Sequence, residues 1–137
     1  MAWETPKTDW QSTDCFNIED YNRIRHNITI IYDMARTVFN VQYNIYNMGS
    51  DMSDYSGVWS ADVFTNIGWN LEIINQHSYN LDIGQRRTYT ANGPFIDFIE
   101  LNRIESATLT IYNLLLASYN ALPRLAFIMG QYRELRV

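Results

Sequence analysis

Self-similarity constrains this chain more than any other feature. Residues 20–32 read DYNRIRHNITIIY and residues 100–112 read ELNRIESATLTIY, and the two align without a gap. Asn22 falls on Asn102, Arg23 on Arg103, Ile24 on Ile104, Ile31 on Ile111 and Tyr32 on Tyr112. A weaker copy, DVFTNIGWNLEII at residues 62–74, places Phe64 on Tyr21, Ile67 on Ile24, Asn70 on Asn27, Leu71 on Ile28 and Ile74 on Ile31. Related units that each bury one face against the others imply a shared core.

Each copy has helical spacing. Tyr21, Ile24, Ile28, Ile31, Ala35 and Val38 recur every three or four residues, as do Leu101, Ile104, Thr108, Ile111 and Leu115. Asn17 and Asp97 stand where N-caps are needed, and Glu19 and Asp20 occupy a first turn, where the helix dipole favours negative charge. The middle helix starts near Ser60 or Ala61, and Gly68 weakens it by about 1 kcal/mol relative to Ala. The Leu122-Pro123 step predicts an end or kink in the third helix, with a short last helix over residues 124–137. Residues 41–46 (VQYNIY) alternate as an extended segment does, and residues 84–93 read as a second extended piece able to pair with it in a minimal sheet. Residues 48–57 read as loop. The predicted fold is mainly α: three related helices in one core, as a single helical domain over residues 15–137, behind an extended arm over residues 1–14.

Composition narrows the function. A net charge of −5 over 137 residues, with basic residues only in short clusters, argues against a nucleic-acid partner. No apolar run reaches membrane-spanning length, and residues 1–8 lack the pattern of a signal peptide. The single cysteine, Cys15, forms no internal disulfide, which suits synthesis in a reducing cytosol. Ten tyrosines, four tryptophans and many asparagines suit a surface that docks on proteins or sugars, although an AT-rich genome favours the same residues.

No residues in the sequence combine into a catalytic or metal site. His26 and His77 lack ligands at metal spacing, Cys15 lacks a base, and helix-start positions account for Glu19, Asp20, Glu100 and Glu105. The expectation is a chain that is not an enzyme and carries neither cofactor nor metal. Two aromatic sets remain. Trp3, Pro6 and Trp10 lie on the arm, which either covers its own core or reaches a neighbouring subunit as a partner interface. Tyr55, Trp59, Tyr79 and Tyr89 lie in loops, where they either stack on sugar rings or pack over the helices. The recurring Asn-Arg-Ile triplet is read as a structural contact, the arginine reaching a helix-start carboxylate.

The opening WETPKTDWQSTDCFNIEDYNRIRHNI resembles the start of small structural proteins of phages and prophages of Firmicutes, as do Met48-Gly49, Tyr55, Ala61-Asp62, Asn92-Gly93-Pro94 and residues 100–105. That resemblance implies a virion component of the tail, baseplate or fibre region. Such a protein is made in the host bacterial cytoplasm and assembled symmetrically with copies of itself and other virion proteins. The alternative function is a carbohydrate-binding module recognising host cell-wall glycan. Neither reading involves nucleic acid or membrane.

Overall fold

The computed structural model describes residues 3–52, 61–90 and 96–135, with side chains as far as residue 121. Three helices form where the repeats predict them: α1 (Ile18–Phe39), α2 (Ala61–Gln76) and α3 (Phe98–Leu135). At the start of α1, the Asp20 carboxylate accepts the Asn17 N–H at 2.9 Å. At the start of α3, the Asp97 carboxylate accepts the Glu100 N–H at 2.9 Å. Both bonds satisfy donors that a helix start leaves unpaired. Asn40 ends α1 in the left-handed conformation, which asparagine tolerates better than most residues.

The three stripes meet in one core. Ile24, Ile28, Ile31, Ile67, Leu71, Ile74, Ile104 and Ile111 are all at most 4% exposed. Thr108 takes the place of Ile28 and Leu71, and it is buried without loss because its hydroxyl donates to the Ile104 carbonyl at 2.7 Å. Two expectations need correction. No strand pairs residues 41–46 with 84–90 among the described residues. The alternation itself is real, with Val41, Tyr43 and Ile45 turned inward, but the segment packs on helices and not on another strand. The third helix also runs on through Pro123 to Leu135. Proline there removes one backbone hydrogen bond, and the turns on either side sustain the helix.

What joins the helices is a set of side-chain clasps on extended backbone. Asn27 of α1 takes both backbone polar groups of Glu4, accepting its N–H at 3.1 Å and donating to its carbonyl at 2.8 Å. Asn70 of α2, which aligns with Asn27, does the same to Tyr46 at 2.7 and 2.8 Å. Asn22 of α1 grips Met52, and its counterpart Asn102 of α3 grips Trp10. Thr65 holds the equivalent place on α2, and its single hydroxyl bonds both groups of Tyr89. A carboxamide carries a donor and an acceptor side by side, so it substitutes for the neighbouring strand that the backbone otherwise needs.

These contacts repeat with a pseudo-threefold rule. In each of the pairs Glu4/Trp10, Tyr46/Met52 and Ile83/Tyr89, the residues are six apart in sequence. The first residue of each pair is held by the helix that follows its segment, through Asn27, Asn70 and, for the Ile83 carbonyl, Arg103. The second is held by a different helix: Trp10 by α3, Met52 by α1 and Tyr89 by α2. Each segment runs towards the N-terminal ends of both helices it touches, so the three helices are parallel and the segments lie antiparallel in the grooves between them.

Candidate functional site

The most concentrated polar chemistry lies at Glu105, which is 2% exposed. The Arg23 guanidinium donates to both of its oxygens, at 2.8 and 3.0 Å, the Lys7 backbone N–H donates at 3.2 Å and the Trp10 indole N–H completes the set. Arg23 also reaches Asp20 at 2.8 Å. Burial opposes its charge, yet its pKa is raised because the Glu105 and Asp20 carboxylates outweigh that cost. Four donors occupy the two Glu105 oxygens and leave no open position for a substrate proton. This is a clasp that fixes the arm against α1 and α3. Placing Glu105 among helix-start carboxylates is therefore mistaken. It sits one turn deeper, adjoining the Leu101–Ile104–Thr108 stripe, where a charge needs a buried partner.

The recurring arginine behaves as its repetition predicts. Arg23 pairs with Asp20 three residues earlier, and Arg103 pairs with Glu100 at the matching position. The asparagines bear on composition as well. Asn27, Asn70 and Asn75 are buried, and Asn75 grips both backbone groups of Leu81 at 2.7 and 2.8 Å. Much of the asparagine that suggested a docking surface therefore works inside the molecule. The pairing of Asn70 with Asn27 in the repeat was the available sequence signal.

Of the two readings of the arm, its packing is that of a cover on its own core. Trp10 is 4% exposed within the core, Pro6 is buried, and Trp3 stacks on Tyr112 with ring centroids 3.7 Å apart. The partner interface expected at Trp3, Pro6 and Trp10 is thus taken up by intramolecular contacts. An indole that has no periodic partner along its own segment finds one in the α1–α3 groove.

The two described loop aromatics, Tyr79 and Tyr89, do not converge. Tyr55 and Trp59 lie outside the described residues. Tyr89 packs on Phe64 at the start of α2, with its hydroxyl pushed up to about 12 by burial. Tyr79 lies beyond the other end of α2, roughly 18 Å from Phe64 at 1.5 Å per residue, where it packs on Phe39 and donates to the Leu114 carbonyl at 2.9 Å. Tyr79 and Tyr89 cannot stack on one sugar.

His26 contacts Asp51 at 2.6 Å, and Arg25 donates to the same carboxylate oxygen at 2.6 Å. These two partners, Arg25 first, hold the Asp51 carboxyl below its ordinary value. His77 stacks on Tyr43. Cys15 is exposed and borders an open groove of about 430 Å³, lined also by Trp10, Phe16, Ile96, Phe98 and Leu101. No three or more His, Cys, Asp or Glu side chains among the described residues gather as metal ligands, and no described helix is long and apolar enough to cross a membrane.

Among the described residues the exposed large apolar side chains lie mostly towards the two ends of the helices, apart from Tyr46, which is 53% exposed beside the middle of α2. Phe98 and Ile99, at the start of α3, are 37% and 56% exposed. Phe39, Leu114 and Tyr119 are 36%, 38% and 48% exposed, near the level at which α1 stops. No family model matches the chain, and neither a curated protein nor a solved structure shows significant similarity to it.

Proposed function

We propose that this chain is a structural protein of a bacteriophage virion, in the tail, baseplate or fibre region, acting by contact with copies of itself and with other virion proteins. The observation that carries the reading is the placement of exposed Phe98 and Ile99 towards one end of the helices and of Phe39, Leu114 and Tyr119 towards the other. Large apolar side chains presented together favour protein contacts. The residues behind the resemblance to phage structural proteins support it in a second way. Trp10, Asn22, Arg23, Asn102 and Glu105 all build the clasps, so the shared pattern is an architectural one. The reading assigns the chain no catalytic step, cofactor or metal. Wall glycan is not favoured as a ligand, because Tyr79 and Tyr89 are committed to separate internal contacts.

Quantitative mass spectrometry of purified particles tests the proposal. The chain is expected in a fixed ratio to the major capsid protein and to be retained through a density gradient. Its absence from particles, or saturable binding of the isolated chain to host-wall polysaccharide, would overturn the reading.

A further inference from the structure

The three helices are equivalent, so each records what the fold requires at a given place. The pseudo-threefold rule sets one helix residue on each side of the bundle between two of the extended segments. On α2 the set is Tyr46, Trp69 and Thr88, and on α3 it is Ile83, Ser106 and Asp9. Tyr46 and Trp69 meet ring to ring, with centroids 6.2 Å apart. On α1 the matching set is Glu4, His26 and Asp51, and all three are ionisable. Two sides of the bundle thus close without a titratable residue on the helix, so the chemistry on the α1 side is not a requirement of the fold.

His26 has a carboxylate at each ring nitrogen. Nε2 lies 2.6 Å from an Asp51 oxygen in the second segment, and Nδ1 lies 3.8 Å from a Glu4 oxygen in the arm. Arg25, its neighbour on α1, donates to the same Asp51 oxygen at 2.6 Å. Among the described residues, no ion pair or hydrogen bond joins the ring to α2 or α3. An ionised carboxylate only accepts, so Nε2 carries the hydrogen in the contact with Asp51. In the neutral ring Nδ1 then presents a lone pair towards Glu4, acceptor against acceptor. A proton on Nδ1 turns that contact into an attractive one, and the ring then holds both segments at once.

We infer that His26 is a pH-sensitive strap, whose protonated ring ties the arm to the second segment across the outer face of α1. Asn27 already clasps the Glu4 backbone, so the proton tightens a hold that the neutral molecule has. The strap is made below the histidine range and is lost as pH rises through it. The inference stands apart from the assembly reading and is tested on the purified chain.

Urea unfolding of the full chain at about pH 5.5 and about pH 8 brackets that range. His26→Gln, Glu4→Gln and the double variant together give the coupling between the two side chains. At acid pH it should be about two- to fivefold in the unfolding equilibrium constant, the size of an exposed ion pair, and at alkaline pH it should vanish. Position 26 holds Trp69 and Ser106 in the other two copies, so His26→Gln should fold. Amide exchange, corrected for intrinsic rate, should show residues 3–6 better protected at acid pH in the wild type and in His77→Gln, with no such gain in His26→Gln. Coupling of equal size at both pH values would make His26 a fixed structural contact and overturn the inference. No coupling at either pH, or an acid-side gain in protection that survives His26→Gln, would overturn it as well.

Discussion

At the scale of single residues, the molecule shows where polar groups cannot be left alone. The Tyr43 and Tyr89 hydroxyls are buried with no hydrogen-bond partner among the described residues. An unpaired buried hydroxyl costs roughly 1–3 kcal/mol, so Tyr43→Phe and Tyr89→Phe should leave stability unchanged or raise it, by up to about 1 kcal/mol in urea titration. Burial also pushes both hydroxyls up to about 12 from an ordinary 10.0. The folded chain thus holds these protons more tightly than the unfolded one. The stability they contribute is whole below the unfolded value and is lost as pH rises from about 10 towards 12. Melting temperatures across that window should fall less in the double Phe variant. A steeper fall would show that these hydroxyls are not the groups responsible. The tyrosine count was plain in the sequence, but which hydroxyls lack partners depends on the packing of residues distant in the chain.

At the scale of elements, equivalent positions in the three helices have been put to different uses. Arg25, Gly68 and Glu105 occupy one repeat position. Arg25 grips the Met48 and Gly49 carbonyls, Glu105 clasps the arm, and Gly68 lies directly beneath the third segment. A Cβ at Gly68 would meet the Arg86 Cβ at 3.6 Å, ordinary contact. Gly68→Ala should therefore gain helix propensity without a clash and stabilise by about 0.5–1 kcal/mol. Gly49 should behave oppositely. Its φ is +84°, and a Cβ there would come within 2.6 Å of the Tyr21 hydroxyl, so Gly49→Ala should destabilise. Thermal melting of the pair checks both signs. At the start of α3, the Asp97 carboxyl is held below 3.8, first by the Glu100 N–H and then by Arg87. Its contribution is present above the unfolded value and is lost as pH falls through the lower folded one. Asp97→Ala should cost about 1 kcal/mol at neutral pH and shrink the acid-side loss. An unchanged neutral stability would rule out the cap.

For the whole molecule, the arm is part of the core. Trp10→Ala should cost about 3–5 kcal/mol, as large buried aromatic truncations do, and it also deprives the Glu105 carboxylate of its indole donor. Deleting residues 1–10 should lower the melting temperature of the isolated chain steeply. A truncated chain that melts like the full one would mean that the arm is dispensable to the fold. Ile31→Ala and Ile111→Ala, at the centre of the shared core, should each cost about 2–5 kcal/mol.

Sequence alone determined where the three helices start, their buried faces, the caps of α1 and α3 and the Arg23–Asp20 type of pair, because each depends on residues three or four apart on one helix. Periodicity of that kind is local and can be read without knowing what the helix packs against. The course of the segments between helices was decided by the tertiary structure. An extended backbone satisfies its hydrogen bonds only with distant partners, and here those are Asn22, Asn27, Thr65, Asn70, Asn75 and Asn102 on helix flanks. Those side chains meet the segments only once parallel helices have formed the grooves. The alternation of residues 41–46 thus identified the inward face but not its partner, and the arm's tryptophans could not be assigned to their own core until the α1–α3 groove existed.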